Sequence, residues 1–397
     1  MPPAPGGFSP ELSYILLLFA LFVVPRFLQR YRLPSAVTSV GIGAAAGLGF
    51  GLFRQDATIG LLATLGIVSL FLFAGLDVDF RELRREASVL IQHVVLRVAA
   101  LVGVGFGVRA LLALEFRPAL LVALALLTPS TGFILDSLPT WGLTERERFW
   151  VKSKAIASEL VALAVLFVAL QSTTAMRLGL ATLVLAGLVA LLPLVFRVFA
   201  ERIVPFAPKS EFAFLLMVAV VSAFATRRLG VYYLVGAFVV GLTAQRFRER
   251  LPAIASEQML HAVEVFASFF VPFYFFRAGL HLQRSDFALD ALLLGLAFLA
   301  TALPLRYLLV AGHRRVALGE PFGTSLRVVV PMLPPRVFTL VIAEILRDEF
   351  AVSPEVFGAL IIYTLLNTLI PGLVLRLPPP EYAEPHVLPL PLPPDPS

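Results

Sequence analysis

Apolar runs long enough to cross a hydrocarbon layer recur from Leu12 almost to the end of the chain, separated by short clusters of proline, glycine and charge. Read against that punctuation, the runs place membrane-spanning helices near 11–30, 35–53, 58–77, 87–114, 118–138, 147–171, 178–200, 209–227, 230–245, 256–281, 286–312, 322–348 and 354–376. The pattern predicts an all-α polytopic membrane protein with 13 transmembrane helices.

An odd count fits six helices, a linker helix and six more, because an offset of seven turns the second copy upside down in the membrane. Two echoes share that offset. Span 3 ends "LFAGLDVDF" (72–80) and span 10 ends "FRAGLHLQRSDF" (276–287), each closing an aromatic-rich run on Ala-Gly-Leu. Span 5 carries "TPST" (128–131) and span 12 carries "PMLPPR" (331–336), each a proline break inside an apolar helix. The expected architecture is a six-plus-six inverted repeat, 11–171 and 209–376, joined by a linker helix at 178–200, with crossed broken helices 5 and 12. Residues 1–10 are expected as an extracytoplasmic tail. Residues 377–397, rich in proline, are expected as an extended or disordered cytoplasmic tail followed by no soluble regulatory domain.

Composition agrees with this picture: 59% of residues are hydrophobic and the mean hydropathy is +0.90. A net charge of +6 would suggest nucleic acid in a soluble chain, but here the basic residues fall mainly in short loops, so no nucleic acid is expected. Those loops alternate. Arg26, Arg30 and Arg32 face Arg54 alone; Arg81, Arg84 and Arg85 face Arg109 and Arg117; "RFRER" (246–250) and "HRR" (313–315) face lightly charged ends. The positive-inside rule then puts the N-terminus outside and the C-terminus in the cytoplasm, as in a bacterial inner membrane protein. The N-terminus lacks a basic region before its first apolar run, so no cleavable signal is expected. With no cysteine there is no disulfide framework and no thiolate metal site.

The candidate chemistry lies at the breaks and beside them. Pro129, Pro331, Pro334 and Pro335 interrupt their helices, and backbone carbonyls freed at that depth survive only where protein or a water-filled cavity satisfies them. Thr128, Ser130 and Thr131 add hydroxyl oxygens suited to a hard monovalent cation. Glu159 stands alone in the apolar run 155–170, where an uncompensated carboxylate costs several kcal/mol. Burial raises the pKa of a carboxylate and a nearby cation lowers it, so proton and metal ion can compete for one group. Arg306 and Arg336 share this depth and need compensating carbonyls or carboxylates; Arg306 also fits a side chain snorkelling towards His313, Arg314 and Arg315. Lys154 is expected to snorkel. Asp136, Glu211, Glu264 and Glu344 lie near helix ends, where solvated charge is the default.

The stretch "LGIVSLFLFAGLDVDFRELRRE" (65–86) closely resembles the third-helix signature of the monovalent cation:proton antiporters, the group of bacterial Na+/H+ exchangers and Kef-type K+ efflux proteins. "LGVYYLVGAFVVGLTAQ" (229–245) and "FFVPFYFFRAGLHL" (269–282) are similar to further stretches of that family. The resemblance implies a homodimer whose dimer-domain helices occupy 11–77 and 209–281, and a moving core made of helices in 87–171 and 286–376. It implies an acidic pair on helix 6, matched here by Ser158-Glu159, and a basic residue on helix 11, matched by Arg306. The family's Pro-Arg-Gly-Glu on helix 12 survives only as Pro335-Arg336, followed by Val337 and Phe338.

The expected function is exchange of a monovalent cation, Na+ or K+, for protons across the bilayer. Alternating access would use Glu159 as the shared site, without a cofactor and without enzymatic chemistry. Exchange is expected to be electroneutral, because Ser158 replaces the first acid and an arginine cannot deprotonate. The alternative is an inverted-repeat symporter or binding protein for an organic anion, with Arg306 and Arg336 as clamps.

Overall fold

The computed structural model describes residues 9–374 apart from positions 32, 54, 77, 79–86, 130–133, 135–141, 208–209, 229–232, 248–256 and 335. Among the described residues all regular structure is helical. The helices are α1 (Pro10–Gln29), α2 (Ser35–Ala44, continuing as a π turn over Ala45–Gly49), α3 (Ala57–Leu76), α4 (Ala87–Leu112), α5 (Phe116–Leu127), α6 (Glu145–Gln171) and α7 (Ala175–Arg202). They continue as α8 (Glu211–Arg228), α9 (Tyr233–Phe247), α10 (Glu257–Leu280), α11 (Leu289–Leu318), the single turn α12 (Leu326–Val329), α13 (Arg336–Phe350) and α14 (Pro354–Val374). Among the described residues, eight helices are long and apolar enough to cross a membrane. The helices over Ser35–Gly49, Phe116–Leu127 and Leu234–Phe247 are apolar but shorter.

Local chemistry sets the ends of the long helices. α6 starts on a capping box: Thr144 Oγ1 accepts from the Glu147 amide at 3.3 Å, and Glu147 Oε2 accepts from the Thr144 amide at 2.9 Å. α11 stops at Gly319, whose φ of 69° is the left-handed conformation that glycine adopts without strain. α5 stops at Leu127 because Pro129 has no N–H to continue the ladder and keeps Thr128 extended, at ψ 125°.

Two groups of helices pack differently. α3 lies along α9 and α10, and α2 lies along α10. The approach is close enough that backbones touch at glycine. A Cβ added to Gly75 would meet the Phe238 carbonyl and come within 3.0 Å of Gly241 Cα; one added to Gly279 would meet the Val40 carbonyl and come within 2.9 Å of Gly43 Cα. The second group comprises α4, α5, α6, α11, α13 and α14, in which α5 packs on α4, α6 and α13 while α14 packs on α11 and α13. α7 contributes little to either, with only Ala181, Leu192, Phe196 and Phe199 buried.

Candidate functional site

The second group surrounds two interrupted helices. The first break follows α5. The second is a run of short turns, 3-10 over Phe322–Ser325, α12, and 3-10 over Val330–Met332, which gives way to α13 after Leu333 and Pro334. Pro129, Pro331 and Pro334 are all buried. Pro335, Ser130, Thr131 and Asp136 lie outside the described residues, as does the side chain of Arg336, the first residue of α13.

A helix end leaves four carbonyls without intrahelical partners, and deep in a membrane each must find one. At the end of α5 every one is accounted for. The Leu124 carbonyl accepts from the Thr128 amide at 3.0 Å, and the Ala125 carbonyl from Thr339 Oγ1 of α13 at 2.6 Å. The Leu126 carbonyl accepts from the Tyr363 hydroxyl of α14 at 2.6 Å and from Arg306 Nη1 of α11 at 3.3 Å, and the Leu127 carbonyl from Arg97 Nη2 of α4. Arg306 also donates to the Met332 carbonyl at the second break and to the Tyr363 hydroxyl, and Asn367 Nδ2 donates to the Leu333 carbonyl at 2.9 Å.

Arg306 is therefore buried between the two breaks and does not snorkel. The negative ends of the broken-helix dipoles are occupied by two guanidinium groups. Glu159 is buried and sits close to the middle of the 27-residue α6. Thr128 Oγ1 is fully buried and makes no hydrogen bond to the described protein, so it does not bond back to its own helix and its lone pairs are free. Asn367 Oδ1 and Thr368 Oγ1, both buried on α14, are likewise without hydrogen-bond partners. A cavity of about 20 Å³, room for about one water molecule, lies between the breaks and is lined by His93, Arg97, Pro129, Arg306 and Met332.

Lys154 overturns its expectation. It does not snorkel: it is 3% exposed, with Nζ 2.6 Å from His313 Nδ1 and 3.3 Å from His93 Nδ1, under the Trp150 ring at 4.7 Å. Snorkelling requires an open path along the helix surface, and here α4 and α11 close it. Ser158, one turn further along α6, is buried with Oγ 3.1 Å from His93 Nε2. Of the carboxylates expected at helix ends, the Glu264 side chain is 49% exposed beside His261, whereas Glu344 is half-buried with Oε1 3.8 Å from His281 Nδ1. At that end a wide cavity of about 360 Å³ is lined by Gln55, His281, Glu344, Arg347 and Asp348, and Arg347 Nη2 is paired with Asp286 at 2.6 Å.

Sequence reasoning passed over His93, Arg97, Thr339, Tyr363 and Asn367. The signal for the first two was present as a basic pair spaced i, i+4 inside the apolar span 87–114, which puts both on one helix face. "YTLLNT" (363–368) carried the same kind of signal in the last span.

The comparisons agree with this architecture. The family model for the transmembrane sodium/hydrogen exchanger matches residues 16–378. "Probable Na(+)/H(+) antiporter 3" of Methanocaldococcus jannaschii is 24% identical over 391 residues, which is 91% of this chain and 95% of that protein. "Na(+)/H(+) antiporter NhaS5" of Synechocystis is 24% identical over 78% of this chain, which spans less than half of that longer protein, 44%. The fold is similar to the solved sodium proton antiporter MjNhaP1 of Methanocaldococcus jannaschii, with a TM-score of 0.67 at 14% identity, covering 90% of this chain and 95% of that one. With the family model covering nearly the whole length, this chain belongs to the transmembrane sodium/hydrogen exchanger family.

Proposed function

We propose that the protein exchanges a monovalent cation, Na+ or K+, for protons by alternating access, with Glu159 as the group that carries either one. The observation that carries this reading is the placement of a buried carboxylate midway along α6, in a core whose buried helix ends are already matched by Arg97 and Arg306. Thr128 Oγ1 and Ser158 Oγ supply neutral oxygens. Ser130 and Thr131 belong to the same proposed site, and Arg336 joins Arg306 in balancing charge. A site holding one proton or one monovalent cation has the same charge on both journeys, so exchange is electroneutral and the membrane potential does not bias it.

The glycine contacts support the inverted-repeat reading. Gly75 of span 3 meets Gly241 of span 9, and Gly279 of span 10 meets Gly43 of span 2, the pairing that an offset of seven generates from itself. On this reading the chain has 13 spans with its N-terminus outside. The dimer forms through helices of 11–77 and 209–281, and the rest of both repeats moves as the carrier. The organic-anion reading finds no support in the family, and the donors that it would need on Arg306 are engaged by carbonyls and Tyr363.

Proteoliposomes loaded with a pH-sensitive dye test the proposal. Imposed Na+, Li+ or K+ gradients should drive proton movement in the wild type, at an initial rate unchanged by an imposed diffusion potential. Proton movement with none of these ions would overturn the reading, and a rate that follows the potential would overturn electroneutrality.

A further inference from the structure

The guanidinium of Arg97 has fewer partners than its burial calls for. It presents five N–H donors, and among the described residues it makes one hydrogen bond, from Nη2 to the Leu127 carbonyl. The residue is 7% exposed, and its Nε is buried without a hydrogen-bond partner. Donors of a buried charged group are costly to leave bare, so they call for an acceptor inside the protein. The space for one is the cavity of about 20 Å³ that Arg97 lines together with Arg306 and His93. The other polar groups on its wall are engaged. His93 has Nε2 on Ser158 Oγ and Nδ1 on Lys154 Nζ, while Arg306 donates to two carbonyls and to the Tyr363 hydroxyl. Leu309, Val310 and Val329 close the cavity with apolar surface.

Charge decides what fits there. Two guanidinium groups share the wall, and among the described residues no carboxylate pairs with either. Each broken-helix end supplies roughly half a negative charge, so the two ends together offset about one of the two guanidinium charges. Glu159, on the antiport reading on which this count rests, is neutralised by a proton or a cation on both journeys and does not offset the other. About one positive charge is left over in a medium of low dielectric, where like charges repel strongly. A water molecule accepts from the bare donors and leaves that excess in place. A monovalent anion answers both needs.

We infer that this cavity binds a small monovalent inorganic anion, with the chemistry of chloride, as a resident counterion held by Arg97 of α4 and faced by Arg306 of α11. A halide is only slightly larger than water and accepts from donors in any direction, which suits one guanidinium fork set among apolar side chains. Sulfate, phosphate and organic carboxylates are too large for room that takes about one water molecule. The ion is not a substrate. It stays between the breaks and travels with the core, so its charge is the same on both journeys and one-for-one exchange at Glu159 remains electroneutral.

Thermal unfolding of the purified protein in detergent, followed against chloride at constant ionic strength with gluconate as the replacement, tests the inference. An ion that binds only the folded state stabilises it with the logarithm of its concentration, so the wild-type Tm should climb by about 2 °C for each tenfold rise in chloride above Kd. Bromide should replace chloride in this effect, and its anomalous scattering in crystals should place it beside Arg97. Arg97→Gln, which removes the charge and most of the donors, should flatten the dependence on chloride. Should that variant fail to fold, the position of bromide in the wild type decides. Equal Tm values in chloride and gluconate overturn the inference, whether or not bromide enters the crystal, since binding is then adventitious only. Bromide absent from the cavity, or a chloride dependence undiminished in folded Arg97→Gln, also overturns it. Neither readout uses transport, so a failure of the antiport reading is told apart by absent cation-coupled proton flux in the wild type.

Discussion

The α2–α3–α9–α10 group and the α4–α5–α6–α11–α13–α14 group are both built from apolar helices, yet they are held together by different means. In the first, glycines bring backbones into contact, as at Gly75 against Gly241 and Gly43 against Gly279, and cohesion comes from close van der Waals packing. In the second, the helices are interrupted, and cohesion comes from side chains that reach across to satisfy carbonyls: Arg97, Arg306, Thr339, Tyr363 and Asn367. Packing by shape needs no charge and offers no place for an ion. Packing around broken helices needs buried polar groups, and it is on α6 of this second group that the buried carboxylate of Glu159 lies.

The comparison is broken most sharply at Glu159. Glu159→Gln should leave a folded protein with cation-coupled proton flux at the liposome background, since an amide keeps the shape and cannot alternate between proton and cation. Near-normal pH-dependent flux would refute the carrier role. Glu159→Asp should retain part of the activity with an altered apparent affinity.

Next in size is Arg306→Met, which fills space but leaves the Leu126 and Met332 carbonyls short of a donor. Two lost bonds to a charged group should lower stability by about 3–5 kcal/mol, read as a fall in the detergent melting temperature. A melting temperature within a degree or so of wild type would show that the breaks are stabilised elsewhere.

In the glycine-packed group, Gly279→Val puts side-chain atoms into the Val40 carbonyl and should cost about 1–3 kcal/mol by forcing α2 and α10 apart. The same protein should keep its cation selectivity, because no part of the proposed site lies in that contact. A selectivity change without loss of stability would contradict the division into two groups.

The smallest effect is expected from Thr339→Val, which removes one bond to the Ala125 carbonyl at constant volume and should cost about 1 kcal/mol. Comparing it with Arg306→Met grades how evenly the α5 end is shared among its partners.

Much of this was legible in the chain itself. The order of apolar spans, the two proline breaks and the depth of Glu159 are properties of single segments: hydropathy, the missing proline N–H and the position of one charge within a run do not depend on what packs nearby. The capping box at Thr144 and the glycine stop at Gly319 are local in the same sense. Partners are another matter. The Tyr363 hydroxyl meets a carbonyl 237 positions away in sequence, and Arg306 meets one 180 positions away. Lys154 looked like a snorkelling residue because its own helix leaves that route open; only the arrival of His93 from α4 and His313 from α11 closes it. A sequence fixes which polar groups must be satisfied inside a membrane, because the cost of leaving them bare is general. Which group satisfies which is decided by the crossing of helices, and that is set by the packing of the whole.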